Sequence, residues 1–511
     1  MTPDRPAVPP RPRSLGHRLL GQPSLWTGAM LAIVYVTLVE AMVWAMQLRG
    51  PWYDEFYTLY VTRPGLPLHY AFDRWLADNH PPLFYALAHA TTWLGPTIEE
   101  RRAVNLFILA AAAIQLAWWL IPQGLRRIGW VYVMALACAW PAIDRAAELR
   151  SNYLAFASAA VAVAALIAFG RGYRAHRRAE WAMLTLALLI AFNVHLAASI
   201  VVGSLAATMI LRRLLARDMG SALRLLAAAT LAGIPMLINI LGSFGRIEAN
   251  TRNFWIQGGF NAARWAIETE VERALTANPA ITLLAAIGFA LLAHQSWRAR
   301  RLAPKADLAV TLGVGLVIGC TVMIAIHLWR PFIIGRYLVT LHPVFAMIMA
   351  LGVAALLDRI RPLFAVLVSA AMALAALSAI RTNMAQTWVQ ASWYGTGGAI
   401  AAIRQRCPST RVHIDWTGNL STMAAPPFEN RAVFPFAYDI VARHFGFPLT
   451  PESDHFMPHD CPTLFWTEHI AGQSGNRDSL VAALRAKGFP IGPAKLVRIG
   501  NGYILITSPT R

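Results

Sequence analysis

Charged residues are scarce in this chain, and acidic residues are the scarcer kind. Only 14% of the 511 residues are charged, with 26 acidic against 45 basic side chains, whereas 57% are hydrophobic. With a mean hydropathy of +0.47, the chain is far too apolar for an ordinary soluble enzyme. The composition therefore indicates a protein that lies largely in lipid.

Cysteine is also rare, and its positions give no sign of a zinc module. Cys138 and Cys320 fall within apolar runs, Cys407 and Cys461 fall in a polar tail, and no pair has the spacing of metal ligands. The two tail cysteines could form a disulfide in an oxidising compartment or remain free thiols, and the sequence leaves both open.

The deficit of acidic residues gives a formal net charge of +19. Such a charge can indicate a nucleic-acid partner, but here the basic residues form short clusters between apolar runs rather than one polar domain. Membrane topology explains this pattern better. We therefore expect the lipid bilayer, and no nucleic acid, as a partner.

Apolar runs long enough to cross the ~30 Å hydrocarbon layer recur along the chain. The first, from about Trp26 to Met46, is too long for a signal peptide and predicts a retained anchor with a cytoplasmic N-terminus. Further spans are predicted at about 103 to 122, 128 to 143, 152 to 169, 179 to 194, 196 to 211, 222 to 242, 279 to 296, 308 to 328, 336 to 356 and 362 to 380. The prediction is a polytopic α-helical membrane protein with about eleven spans.

The segment from Pro81 to Gly95 is apolar but only about fifteen residues long, so length does not decide whether it spans. If it lies in the interface, dense basic clusters such as Arg171 to Arg178 and Arg298 to Lys305 fall in cytoplasmic loops. Most acidic residues then fall in outer loops. We adopt this scheme, with interfacial helices in the first outer loop, residues 48–102.

An odd number of spans places the C-terminal tail outside. Helix-like stretches there (Gly397 to Arg406, Tyr438 to Phe445, Ser479 to Lys487) alternate with strand-like ones (Arg411 to Trp416, Thr463 to Thr467, Lys495 to Thr507). The sequence predicts two domains, a transmembrane catalytic domain at residues 1–382 and a small periplasmic α/β domain at 383–511.

Adjacent carboxylates, Asp54 and Glu55, follow the first span among aromatic residues. Carboxylates in partly desolvated surroundings are functional candidates, because ionisation there needs a partner. The alternative is a solvated pair in an ordinary loop, and the dipeptide alone does not exclude it.

The strings WYDEFYTLY (52–60) and NHPPLFYALAHATTWLG (79–95) resemble the GT-C superfamily of membrane glycosyltransferases. More narrowly, they are similar to the family 39 group, which includes protein O-mannosyltransferases and lipid A aminoarabinose transferases. In that family an acidic pair lies in the first outer loop, and the Pro-Pro segment begins a helix along the membrane.

Three further segments carry the resemblance. IDRAAELRSNYLAF resembles a Glu-x-Arg-x-Tyr motif through Glu148, Arg150 and Tyr153, with one extra residue before the tyrosine. FNVHLAA places His195 where the family has a histidine turn. WRPFIIGRYLVTLHPVFAMI resembles an Arg-Tyr-Leu-x-x-x-x-Pro segment through Arg336, Tyr337 and Pro343.

The resemblance implies an inverting transfer of a sugar from a polyprenyl-phosphate donor to an acceptor hydroxyl at the periplasmic face of the bacterial inner membrane. The acceptor could be a glycolipid, lipid A, a polysaccharide or a protein. Catalytic roles fall to Asp54 as general base, Glu55 and Glu148. Binding of donor phosphate or substrate falls to Arg150, Arg336, Tyr337, His80, His195 and Tyr153.

Two questions stay open at this point. Asp54 and Glu148 could ligate a divalent cation, although some GT-C enzymes work without metal. The arginines could equally be interfacial residues that bind lipid head groups.

A different class of protein is also possible, since Glu40 lies within the first apolar run. An intramembrane carboxylate is typical of a polyprenyl-lipid or sugar transporter or flippase. The polar features concentrate on one side of the membrane, which favours surface chemistry. The outer loop from about Phe244 to Asn278 contains a Gly-Gly break before an amphipathic helix, and it is a candidate lid or a plain connection.

Overall fold

The computed structural model describes residues 23–78, 80–121, 125–170, 178–251, 256–388, 392–414, 430–451, 453–468, 477–500 and 502–509. The N-terminal arginines, the basic loop 171–177 and the end of the predicted strand at 415–416 lie outside these ranges. The helices up to residue 388 are α1 Pro23–Leu48, α2 Tyr53–Val61, α3 Leu68–Ala77, α4 Leu83–Ala90, α5 Ile98–Arg101, α6 Val104–Leu120, α7 Arg126–Cys138, α8 Ser151–Gly170, α9 Arg178–Phe192, α10 Leu196–Leu215, α11 Met219–Thr251, α12 Phe260–Thr276, α13 Pro279–Ala299, α14 Pro304–Trp329, α15 Leu341–Leu357 and α16 Pro362–Trp388.

The long helices form a membrane bundle. Within the described ranges, nine helical stretches are long and apolar enough to cross a membrane. They correspond to predicted spans and contain α1, α6, α8, α10, α11 and α13 to α16. The remaining two predicted spans coincide with α7 and α9, which have 13 and 15 residues. The multi-pass helical fold is therefore confirmed, and the count of eleven spans stays a prediction.

The centre of the bundle is α8, in which every residue is buried. Its sequence is rich in alanine, so neighbouring helices can approach closely. Glycine has the same effect where α13 crosses α15, because a Cβ at Gly288 would lie 1.8 Å from the carbonyl oxygen of Gly352. Small residues thus set the helix spacing, since helices in lipid associate through close packing rather than through the hydrophobic effect.

The loop after α1 contains four short helices, α2 to α5. Helix α4, inside the ambiguous segment from Pro81 to Gly95, has 8 residues, which at 1.5 Å per residue is about 12 Å and too short to span. The loop ends in a capping box, in which Thr97 and Glu100 bond reciprocally at the start of α5. The segment is therefore not a span, as the charge distribution predicts.

The tail after the bundle forms the predicted small α/β domain. Its elements are α17 Trp393–Arg406, β1 Arg411–Ile414, α18 Asn430–His444, β2 Thr463–Thr467, α19 Arg477–Ala486, β3 Ile491–Ile499 and β4 Gly502–Pro509. The sheet order is β1-β2-β4-β3, with β1 parallel to β2 and the other pairs antiparallel. Helix α16 continues to Trp388, so the domain boundary at residue 382 stays a prediction.

Cys407 and Cys461 form a disulfide, with their Cα atoms 5.6 Å apart. Of the two possibilities that the sequence leaves open, the structure contains the bridge. It links the end of α17 to the residues just before β2, across a sequence separation of 54.

Removal of this bridge should destabilise the tail domain. A Cys407→Ser/Cys461→Ser variant is expected to lose about 2–4 kcal/mol, because its unfolded chain is less constrained. Thermal unfolding with and without reductant measures the effect. Cys320→Ala is the matched control, since that thiol lies in α14 and is unpaired. An unfolding midpoint that reductant leaves unchanged in the wild type would contradict this prediction.

Candidate active site

Helix α2 carries the acidic pair in its first turn and is held from the tail side by aromatic residues. Tyr53 stacks on Phe434 with ring centroids 4.5 Å apart, and Phe56 contacts Trp393 at 5.1 Å. The backbone N–H of Trp393 donates to the carbonyl oxygen of Pro51 at 3.0 Å. Adjacent helical residues point about 100° apart, so Asp54 and Glu55 face different surroundings.

Glu55 is fully buried against Arg102. The guanidinium donates from Nε to Oε1 and from Nη2 to Oε2, both at 2.8 Å, and the Leu149 N–H donates to Oε1 at 2.8 Å. Arg102 Nη1 also donates to the carbonyl oxygens of Met46 and Arg49. Both carboxylate oxygens of Glu55 are thus occupied by protein donors. Through Arg102, the side chain joins α2 to the end of α1 and to the junction of α5 and α6, and through the Leu149 N–H it joins α2 to the loop before α8.

Asp54 is the acidic residue that stays accessible, with 24% of its side chain exposed. Its Oδ2 lies 3.5 Å from Arg336 Nη1 and 3.8 Å from Arg150 Nη2. These distances are longer than direct charge-assisted hydrogen bonds. The carboxylate is therefore flanked by two cations, yet it is not locked by either.

Arg150 is oriented by a second network. Its Nη1 donates to the Tyr85 hydroxyl at 3.1 Å and to Thr58 Oγ1 at 3.3 Å. Tyr85 in turn donates to Asp78, which also contacts His80 Nδ1 at 3.2 Å. Burial raises the pKa of Asp78, but His80, Arg150 and Tyr85 together outweigh burial and the net shift is downward. Asp78 is therefore an ionised partner for this network.

Three ring side chains cluster on the other side of Arg336. His195 lies 4.6 Å from Tyr337 and 5.2 Å from His80, centroid to centroid. The His195 Nδ1 accepts the Ala197 N–H at 3.2 Å, which places the proton of the neutral ring on the buried Nε2. Burial, followed by His80, lowers the pKa of His195 well below its usual value. His195 is thus a neutral hydrogen-bond donor at physiological pH.

Glu148 is fully buried in an arginine clamp. Its Oε1 accepts from Arg49 and Arg145, each at 2.6 Å, and Oε2 accepts from Asn152 at 3.3 Å. Burial raises the pKa of Glu148, but Arg145 and Arg49 outweigh it and lower the value to about 2. Glu148 therefore holds the arginines in place at the loop before α8.

Tyr153 does not join the predicted group. It packs on Phe156 at 6.2 Å and lines an apolar cavity of about 530 Å³ between α1, α6, α7 and α8. The extra residue between Arg150 and Tyr153 is the cause, since one residue rotates a helical position by about 100°. The structure thus brings together Asp54, Arg150, Arg336, Tyr337, His80 and His195, and leaves Tyr153 apart.

The carboxylates proposed as metal ligands do not fit a cation. Asp54 faces Arg150 and Arg336, and Glu148 faces Arg49 and Arg145, so positive charge surrounds both. In the part of the chain that the structure describes, no group of three or more His, Cys, Asp or Glu side chains is arranged to hold a metal. No metal-dependent step follows from these residues.

Five residues that support the site are absent from the sequence-based set, namely Arg49, Asp78, Tyr85, Arg102 and Arg145. Tyr85 lies within the HPPLFY string, so the motif itself contained a signal for it. Arg145 likewise lies within the IDRAAELRSNYLAF string, three positions before its partner Glu148. Arg49 and Arg102 carried no such signal, because their partners are 99 and 47 positions away.

The comparisons with known proteins rest on structure alone. No protein-family model and no curated protein matches the sequence. ArnT from Cupriavidus metallidurans bound to undecaprenyl phosphate aligns with a TM-score of 0.53 at 13% identity, over 94% of this chain and 98% of that chain. Its apo structure aligns with a TM-score of 0.52 at 13% identity, over 94% and 97%. The chain has the GT-C fold.

The shared fold confirms the GT-C architecture that the motifs of the membrane portion imply, and the small tail domain that the helix-like and strand-like patterns predict. The alignment reaches nearly the whole of both chains, so the tail is part of the shared architecture. Within this GT-C fold, Asp54 follows the first membrane helix, and Arg150 and Arg336 come from two later loops at the same end of the bundle.

Proposed function

We propose that this protein transfers a sugar from a polyprenyl-phosphate-linked donor to an acceptor hydroxyl. The observation that supports this most directly is the accessible Asp54 carboxylate between the Arg150 and Arg336 guanidinium groups. A carboxylate can take the hydroxyl proton, and two fixed arginines can stabilise a departing phosphate. Transfer from a phosphate carrier needs both elements in one place.

The proposed step is a single displacement. Asp54 accepts the proton of the acceptor hydroxyl while its oxygen bonds to the anomeric carbon of the sugar. The bond from that carbon to the phosphate oxygen breaks, and polyprenyl phosphate leaves with the electron pair. Arg150 and Arg336 bind the phosphate oxygens, and attack opposite the leaving group inverts the anomeric centre. His80, His195 and Tyr337 line the site beside Arg336 and orient the sugar.

Glu55 and Glu148 act through other residues in this proposal. Glu55 fixes α2, and with it Asp54, through Arg102. Glu148 fixes the loop that ends in Arg150 through Arg49 and Arg145. They are positioning residues, whereas Asp54 contacts the reacting hydroxyl.

A second cavity has the chemistry that a prenyl chain requires. It has a volume of about 370 Å³, is almost entirely apolar, and lies between α4, α6, α8 and α9. Leu154 lines it one helical turn from Arg150. A carrier with its phosphate at Arg150 can place its chain in this cavity. The ArnT structure contains undecaprenyl phosphate, which is a carrier of this class.

We place this site at the periplasmic face of the bacterial inner membrane. A reporter fused after Arg511 is expected to be active only outside the cytoplasm, and one inserted after Arg301 only inside it. The reason is the dense basic cluster around Arg301, since such clusters stay cytoplasmic. A pair of alkaline phosphatase and fluorescent-protein fusions measures both. Cytoplasmic activity after Arg511 would reverse the orientation.

The function is tested by an in vitro transfer assay. Purified protein is incubated with labelled polyprenyl-phosphate sugars and a membrane extract, and covalent attachment of the label to an acceptor is measured. Label on an acceptor supports transfer. If the carrier moved to the other leaflet and no label became attached to an acceptor, the protein would be a transporter instead. The transporter alternative rested on Glu40 as a carboxylate inside the membrane bundle. In the structure Glu40 is exposed on the surface of α1 and is not directed into the bundle.

The lid hypothesis for the loop before α13 is also constrained. Helix α12 forms where predicted, but its Glu270 is fully buried and bonded to His342 Nε2 at 2.9 Å and Trp140 Nε1 at 2.8 Å. Burial raises the pKa of Glu270, but His342, Arg273 and Trp140 together outweigh burial and the net shift is downward. An ionised carboxylate therefore anchors α12 to α15. We propose that α12 is a fixed wall of the site and not a mobile lid.

A further inference from the structure

A polar cavity of about 640 Å³ has Arg336 in its lining. The loop before α8, the C-terminal end of α12, the start of α13 and the last turns of α16 line it. All of these lie at the end of the bundle that carries Asp54. Neither the sequence motifs nor the proposed transfer step accounts for this cavity.

The charged lining is mainly cationic. Arg145, Arg273 and Arg336 line the cavity, against the single carboxylate of Asp144. Asp144 already pairs with Arg145 and lies 3.6 Å from Arg49. Glu148 and Glu270, outside the lining, pair with Arg145 and Arg273. Arg273 and Arg336 are therefore the cations that can meet an anion in this partly desolvated space.

Two of these arginines are held in place by one aromatic ring. The Arg145 guanidinium carbon lies 4.8 Å from the centroid of Trp140, and that of Arg273 lies 5.1 Å from it. The indole N–H donates to Glu270 Oε2 at 2.8 Å, which fixes the ring. Arg273 donates to Glu270 Oε1 at 2.7 Å and is nevertheless 51% exposed. Arg273 is thus pre-oriented and accessible to a ligand, whereas Arg145 is buried and bonded to Asp144 and Glu148.

The wall opposite is a polar stripe on a membrane helix. Ser378, Thr382, Asn383, Gln386 and Thr387 all line the cavity from the last turns of α16. Their spacing of i, i+4, i+5, i+8 and i+9 places them on one helical face. Polar side chains at a membrane helix end that face a cavity are suited to bind a polar head group by hydrogen bonds.

We propose that this cavity binds the phosphate-bearing head group of the acceptor, so that the acceptor is an anionic lipid or lipid-linked glycan. This rests on the proposed function. The cavity shares Arg336 with the Asp54 site, so a head group bound there lies beside the reacting carboxylate. The cavity is polar along most of its wall, whereas a prenyl donor needs an apolar one. The cavity thus selects an acceptor that has an anionic head group.

The test measures binding without any donor sugar, so it does not depend on transfer. Purified protein in detergent is titrated with short-chain phosphatidic acid, with diacylglycerol of the same chain length, and with polyprenyl phosphate. We expect the wild type to bind phosphatidic acid and not diacylglycerol. Arg273→Gln should weaken phosphatidic acid binding about tenfold or more, because a charge-assisted contact is lost, and leave polyprenyl phosphate binding unchanged.

Arg264→Gln is the matched control. Arg264 lies on the same helix, is 61% exposed and pairs with Glu268 away from the cavity, so its loss should not change binding. Ala379→Phe fills the cavity without changing charge and should also weaken phosphatidic acid binding. Equal binding of phosphatidic acid and diacylglycerol by the wild type would overturn the inference. So would a parallel loss of polyprenyl phosphate binding in Arg273→Gln, since the cavity would then belong to the donor.

Discussion

Asp54→Asn is expected to lower the rate of sugar transfer by about two orders of magnitude or more, in the range attributed to a general base. The amide cannot accept the hydroxyl proton but occupies nearly the same volume. Folding should be little affected, because Asp54 is partly exposed and its two ion pairs are long, at 3.5 and 3.8 Å. Initial transfer rates at saturating donor measure the effect, with the thermal midpoint as a check on the fold.

Asp73→Asn provides the matched control for this prediction. Asp73 is an exposed carboxylate on α3, in the same loop and with the same substitution, and it contacts none of the site residues described above. It should retain the wild-type rate. Undiminished transfer in Asp54→Asn would remove Asp54 from the chemistry, whereas an equal loss in both variants would point to a general effect of the loop.

Glu55→Gln is expected to destabilise the protein by about 3–5 kcal/mol, the usual cost of breaking a buried ion pair from one side. The substitution leaves the Arg102 guanidinium buried and uncompensated beside a neutral amide. Helix α2, which carries Asp54, then loses its connection to the junction of α5 and α6. Thermal or denaturant unfolding in detergent measures the change, and protein yield in membranes should fall with it.

The control for Glu55→Gln is a substitution that breaks an exposed ion pair. Glu268→Gln removes the partner of Arg264, where both side chains are more than half exposed, so a change of about 1 kcal/mol or less is expected. Activity distinguishes the roles of the adjacent acids: Glu55→Gln should lose stability first, and Asp54→Asn should lose rate alone. A stable but inactive Glu55→Gln protein would instead make Glu55 a direct participant in the reaction.

Much of the fold was predictable because hydropathy and charge act along the chain. Long apolar runs set the positions of the membrane helices, and the basic clusters excluded Pro81 to Gly95 as a span. The tail elements were also visible as periodic patterns, although α17 and α18 begin earlier than predicted. The disulfide was not predictable, since it depends on the separation of Cys407 and Cys461 in space.

The site was predictable only in part, because its supporting contacts join distant positions. Ordered motifs led to Asp54, Arg150 and Arg336. They did not reveal that Glu55 and Arg102, 47 positions apart, form one buried pair. The local sequence does not show that Asp54 is accessible and Glu55 is buried. That difference depends on which face of α2 packs against the bundle.

Tyr153 illustrates the limit of motif matching. A single extra residue leaves the motif recognisable in the sequence, yet on a helix it turns the side chain to another face. The tyrosine then lines an apolar cavity instead of the Asp54 site. Within a helix, one inserted residue therefore decides the face on which a motif side chain lies, whereas a loop could accommodate it.

The most direct test of the account is a structure of this protein with polyprenyl phosphate bound. We predict that the phosphate lies within hydrogen-bonding distance, about 3 Å, of the Arg150 and Arg336 guanidinium groups, with the prenyl chain along α4 and α8. A phosphate bound to Arg145 and Arg273, away from Asp54, would contradict it.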